Sequence, residues 1–153
     1  MILENNKTID GEKQKGLLSE QEAKILIVDD EKDIRKLVGI YLKKQGYKTL
    51  EAENGQMAIN VMKEHSDIDL VIMDIMMPVM DGLTATRAIR ALERADAKTI
   101  PIIAMTANAF SEDIQHSLAA GMNAHVSKPI EMKVLEKTIR SIKSGGGHRN
   151  ATH

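Results

Sequence analysis

Four short runs in this sequence each lead into a residue able to do chemistry. Residues 25–28 lead into Asp29 and Asp30, residues 70–73 into Asp74, residues 102–105 into Thr106, and a more polar run at 124–127 into Lys128 and Pro129. Three carboxylates, a hydroxyl and one ammonium make an acidic set. Carboxylates held close together raise one another's pKa unless a cation joins them. An all-oxygen set without His or Cys suits a hard divalent ion, and Mg²⁺ is the usual choice where phosphate is also handled. Taken singly, each residue has a plainer reading: the Asp pair as a cap for the next helix, Asp74 as a loop acid, Thr106 as a turn hydroxyl, Lys128 as a solvated lysine. Those readings fail together if all five share one rim, and that depends on the elements that carry them.

The unbroken apolar runs at 25–28, 70–73 and 102–105 suit strands covered on both faces, and the weaker runs at 47–51 and 124–127 suit edge strands. Ile34, Leu37, Val38, Tyr41 and Leu42 fall on one stripe of an amphipathic helix, with Gly46 as its stop. Asn54 can cap a helix carrying Ala58, Val61 and Met62. Ser111 can cap one carrying Ile114 and Leu118, with Glu112 and Asp113 at its positive end. Residues 83–94 and 132–144 supply the remaining helices, the last with Met132, Leu135, Ile139 and Ile142 on its buried face. Strands alternating with helices in this way predict an α/β fold, a doubly wound five-stranded parallel sheet of order 2-1-3-4-5. Ligands of such sheets sit beyond the carboxyl ends of the strands, near the switch between the first and third. Asp29, Asp30, Asp74, Thr106 and Lys128 all fall on that rim.

Composition narrows the classes. At 153 residues, with 42% hydrophobic and 28% charged, the chain has room for one domain with an adequate core. Residues 1–23 read as a loose arm, 24–144 as the domain, and 145–153 as a flexible tail. Zero cysteines exclude a disulfide scaffold, a zinc ribbon and a thiol nucleophile. A formal charge of −1 argues against direct nucleic-acid binding or contact with an anionic membrane. With no apolar span and no signal-peptide core, the expectation is a cytoplasmic chain. Aromatics at 2% leave an aliphatic, Met-rich core and few stacking platforms.

Residues 25–30 (ILIVDD), 71–82 (VIMDIMMPVMDG), 103–107 (IAMTA) and 127–129 (SKP) resemble the receiver domain of two-component response regulators, over about residues 24–143. The resemblance implies a flavodoxin-like fold of the chemotaxis-regulator kind. It implies that Asp74 takes a phosphoryl group from a phosphohistidine of a histidine kinase or histidine phosphotransfer protein. Mg²⁺ would then be bound by Asp30, Asp74 and the backbone carbonyl of Met76, with Asp29 acting through water. Thr106 and Lys128 would meet the phosphoryl oxygens, and the Lys128–Pro129 bond would be cis. Loading would reshape the face made by the fourth helix, fifth strand and fifth helix, where a downstream protein would bind. The physics agrees: phosphoryl transfer is mostly positioning plus cations, and an acyl phosphate adds about −1.5 to −2 charge at one point.

Some residues depart from the family pattern. His125 occupies the switch position where Tyr or Phe is usual, and reads as a rotamer substitute or, alternatively, as a pH-sensitive one. Met76 and Asn108 flank the path of a hydrolytic water and suggest a moderate phosphoryl lifetime. Met57, Met62, Met73, Met105 and Met132 read as core, while Met76, Met77 and Met80 offer apolar contact to a kinase. Lys43, Lys44, Arg87, Arg90 and Arg94 read as solvated helix faces. The competing function is a small Mg²⁺-dependent aspartyl phosphatase, whose nucleophile would lie on the first strand; Asp29-Asp30-Glu31 fits it poorly. A transcription factor would need a DNA-binding domain this chain lacks. Residues 105–110 and 121–124 resemble receivers of hybrid histidine kinases somewhat more than those of DNA-binding regulators, so the chain reads either as a stand-alone regulator or as a hybrid-kinase receiver.

Overall fold

A computed structural model describes residues 23–107 and 111–145, with side chains described for 23–107 and 114–142. Five strands, β1 (Lys24–Val28), β2 (Lys48–Ala52), β3 (Leu70–Asp74), β4 (Ile102–Thr106) and β5 (Ala124–Ser127), alternate with five helices, α1 (Lys32–Lys44), α2 (Gly55–Glu64), α3 (Gly82–Arg90), α4 (Ser111–Ala120) and α5 (Met132–Gly145). The strands pair in parallel in the order β2-β1-β3-β4-β5, as the alternation predicts. The three central strands are buried almost throughout, and β2 and β5 are the partly polar edges.

Because successive strand residues face opposite sides, the sheet separates two cores. Leu26, Val28, Val71, Met73, Ile102 and Ala104 pack with Ala58 and Met62 of α2 and Ala85 and Ile89 of α3. Ile25, Ile27, Leu70, Ile72, Ile103 and Met105 pack with Val38 and Leu42 of α1 and Leu135, Ile139 and Ile142 of α5. Two of the local signals for helix ends, Asn54 and Gly46, are borne out. Asn54 Oδ1 accepts from Met57 N–H at 2.8 Å. Gly46, at φ 98°, stops α1 while Tyr47 N–H returns to Leu42 O at 3.0 Å.

Several expectations need correcting. The helix expected over 83–94 ends at Arg90, and residues 91–100 form turns. Leu37, Met57 and Leu118 are 56%, 40% and 57% exposed rather than core. The reason is geometric: a helix lying on a sheet buries only the line that touches it. On α1 that line is Val38, Gly39 and Leu42, and on α4 it includes Ser117 and Ala120. Met62, Met73 and Met105 are buried, and Met132 packs partly against the second core. Ala23, assigned to the arm, is buried and its carbonyl accepts from Lys48 N–H at 3.0 Å; α5 reaches Gly145, one residue beyond the expected end. Residues 1–22 and 146–153, Asn108, and the side chains of Ser111, Glu112 and Asp113 lie outside the described set. No helix among the described residues is long and apolar enough to cross a membrane.

Candidate functional site

The parallel register carries the chemical residues to one rim. Val28 lies beside Met73, Asp74 beside Met105, and Thr106 beside Ser127, so the ends of β1, β3, β4 and β5 are level. Asp29 and Asp30 follow β1, Asp74 and Thr106 close β3 and β4, and Lys128 follows β5. All five expected residues meet there. One ligand oxygen from each of Asp29, Asp30 and Asp74 lies within 4.8 Å of the others.

Each side chain has a local reason for its aim. Asp29 is fully buried, and its Oδ1 accepts from Glu31 N–H at 2.8 Å. Because Glu31 holds the cap position of α1 and makes no side-chain cap bond, the Asp pair is not the helix cap of the plainer reading. Its Oδ2 faces Lys128 Nζ at 3.1 Å. Asp74 is 3% exposed; its Oδ1 accepts from Met76 N–H at 3.3 Å and its Oδ2 lies 3.3 Å from Lys128 Nζ. Lys128 is held by its own N–H donating to Thr106 O at 2.7 Å, and its bond to Pro129 is cis. Asp30 is exposed at the mouth. Thr106 is buried, and its Oγ1 has no hydrogen-bond partner among the described residues. His125 lies on β5 beside Ala104, half-buried, in a cleft of about 390 Å³ shared with Lys128, Glu131 and Val134.

The electrostatics follow from this packing. Burial, and then the charge of Asp29, push the Asp74 carboxyl from 3.8 up to about 6, against the opposing pull of Lys128 and the Met76 amide. Lys128 stands above the ordinary lysine value: burial pulls it down, but its bond to Asp29 and the charges of both carboxylates outweigh that. One ammonium thus serves two buried carboxylates, and the set remains short of positive charge. Three oxygen donors with this deficit fit a hard divalent cation.

The loop after Asp74 is built tightly. Val79, 82% exposed, has φ 72°, and Met80 N–H donates back to Pro78 O at 2.7 Å, a classic γ-turn that is strained for a β-branched residue. Met76 is 72% exposed, whereas Met77 and Met80, expected to offer contact to a partner, pack partly against the core.

Four supporting residues escaped sequence reasoning. A Cβ on Gly82 would lie 2.2 Å from Asp74 O, so only glycine lets α3 start beneath the central carboxylate. Arg35 donates to Asp29 O at 2.7 Å while pairing with Glu51 at 2.9 Å. Arg90 and Arg94, expected as solvated, instead donate to main-chain carbonyls at the far end of the sheet. Charge periodicity gives no sign of this, because their acceptors are 7 to 32 residues away in sequence. Lys43, Lys44 and Arg87 are exposed as expected.

A level rim of three carboxylates, a buried hydroxyl and one lysine on a 2-1-3-4-5 sheet is the arrangement expected of a receiver domain. The sequence pattern of the response regulator receiver domain matches residues 25–140, and the chain belongs to that family. It is 38% identical over 121 residues to the sensor histidine kinase RcsC of Salmonella typhimurium, covering 79% of this chain but only 12% of that protein. The chain therefore spans about an eighth of that curated relative. Among solved structures it resembles the chemotaxis response regulator CheY4 of Vibrio cholerae (TM-score 0.74, 31% identity, 79% of this chain and 98% of that one). It also resembles the receiver domain of the sensor histidine kinase PA1611 of Pseudomonas aeruginosa, which has a magnesium ion coordinated in its active-site cleft (TM-score 0.70, 33% identity, 78% and 95%).

Proposed function

We propose that this chain is a phosphorelay receiver, taking a phosphoryl group onto Asp74 from a phosphohistidine of a histidine kinase or histidine phosphotransfer protein. The observation that carries the reading is the buried Asp74 carboxylate, held between Lys128 Nζ at 3.3 Å and the Met76 amide, with Asp29 and Asp30 beside it. One Asp74 oxygen attacks phosphorus, the P–N bond breaks, and the departing histidine nitrogen keeps the electron pair. Lys128 meets negative charge on the transferring group, and Thr106, whose buried hydroxyl has no partner among the described residues, donates to a phosphoryl oxygen. Asp30, Asp74 and the backbone carbonyl of Met76 would hold Mg²⁺ directly. Asp29, already committed to Glu31 N–H and Lys128, would act through water. When bound, the ion neutralises the repulsion between carboxylates and the incoming phosphate.

The new charge biases a two-state element. Thr106 moves toward the phosphoryl group, His125 follows into the space behind it, and the α4-β5-α5 face changes shape for a downstream protein. The likeness to RcsC and to the PA1611 receiver supports a place in a hybrid histidine kinase over a stand-alone regulator. The test is transfer from a labelled, autophosphorylated histidine kinase in Mg²⁺. We expect label that is lost completely in Asp74→Asn and on adding a chelator; label persisting in Asp74→Asn would overturn the assignment.

A further inference from the structure

The chemistry at the rim makes no use of a second polar cluster at the opposite end of the sheet. Arg90, the last residue of α3, is half-buried, and all five of its N–H donors are used. Nε and Nη2 donate to Gly121 O at 3.1 and 2.6 Å, Nη1 to Ala97 O at 3.0 Å and Ile100 O at 2.7 Å, and Nη2 to Asn123 Oδ1 at 3.0 Å. Asn123 Oδ1 also accepts from Ile102 N–H at 2.8 Å, and Asn123 N–H donates to Ile102 O at 2.8 Å. One guanidinium therefore joins the end of α3, the start of β4, the turn after α4 and the start of β5.

The turn is shaped to receive it. Gly121 sits at φ 107°, where a side chain is strained, and a Cβ there would lie 3.2 Å from Arg90 Nε. Met122 N–H returns to Ser117 O at 2.9 Å, closing the last turn of α4 onto the same anchor. The acceptors are neutral oxygens spread in several directions, so a point charge on a flexible stem cannot replace the planar fork. The other end of α4, at Ser111, follows shortly after Thr106.

We propose that Arg90 is a positioning residue for signalling: it pins the carboxyl end of α4 at Gly121, so that displacement of Thr106 swings this helix about that end instead of sliding it. The inference rests on Asp74 as phosphoacceptor and adds where the response stops. Motion is largest at the first turn of α4 and fades toward residues 117–123, where the Gly121 carbonyl and the Asn123 side-chain oxygen stay bound to the guanidinium. The proposed output face then changes tilt while its base keeps register with the sheet.

The test is amide hydrogen exchange on the whole chain in Mg²⁺, with and without beryllofluoride, while ¹⁹F resonances report the Asp74 complex. In the wild type, exchange should change by about fivefold or more over 107–116, the low end of ordinary site-to-site coupling, and by less than about twofold over 117–123. In Arg90→Lys, which keeps the charge and loses the fork, the change should spread into 117–123 with the ¹⁹F signal retained. An even change along α4 in the wild type overturns the inference, and so does an unaltered gradient in Arg90→Lys. Absence of a bound ¹⁹F signal in the wild type overturns the proposed function, and the pivot with it.

Discussion

The two ends of the sheet handle polar groups in opposite ways. At the amino ends of the strands, two arginines are saturated with acceptors. Arg90 uses every donor, and Arg94 reaches Met62 O, His65 O, Ser66 O and Ile68 O at 3.0 to 3.2 Å while pairing with Asp96. At the carboxyl ends, two buried carboxylates share one lysine, a buried threonine hydroxyl lacks a partner among the described residues, and Val79 holds a left-handed backbone. Buried polar groups are normally satisfied, and exceptions cluster where function needs them. One end closes the fold; the other is left short of positive charge, and under the proposed function a metal ion would supply that charge and a phosphoryl oxygen would accept from the Thr106 hydroxyl.

Substitutions at the two ends should therefore have opposite signs. The largest effect is expected at the satisfied end. Arg94→Met strands several carbonyls near the end of α2, and should lower unfolding stability by about 3 kcal/mol in urea titration. A loss below about 0.5 kcal/mol would mean water replaces the guanidinium and the contrast is false.

Next comes Asp74→Asn, in the opposite direction. Because the folded carboxyl titrates at about 6 rather than 3.8, its favourable contribution is full below the unfolded value and is lost as pH rises through 6. In chelator at about pH 8, the variant should be more stable than wild type by about 2 kcal/mol, and the gain should vanish near pH 4. A gain independent of pH would show that like-charge strain is not its source.

Val79→Gly should add about 1 kcal/mol by releasing the left-handed β-branched residue, measured as a rise in Tm. A fall would show the γ-turn carries no strain. Thr106→Val should be the mildest, from neutral to a gain of about 1 kcal/mol, since it removes a hydroxyl with no partner among the described residues. A clear loss would reveal a hydrogen bond in the resting state. The same variant should blunt any beryllofluoride-induced change over α4, separating stability from signalling.

The rim was legible because it depends on short-range pattern. Each apolar run is a strand, each strand ends in its chemical residue, and alternation with helices forces parallel crossovers that bring those ends level. The helix stripes were legible only coarsely: Leu37 and Leu118 satisfy the spacing of a buried face yet lie beside the line of contact. Arg90 and Arg94 misled because a basic residue near the end of a helix ordinarily faces water. What turned them inward was a set of carbonyls from distant turns, invisible to local periodicity.

By itself, then, the amino-acid order determined the sheet's connectivity and the identity of the five residues at its carboxyl edge, since both follow from local hydrophobic patterning and chain handedness. Only the tertiary structure decided that Asp74 titrates near 6, that Gly82 must lack a side chain, and that two arginines act as internal ties. Desolvation, close approach and hydrogen-bond satisfaction are properties of what surrounds a group, and those surroundings come from segments far apart along the chain.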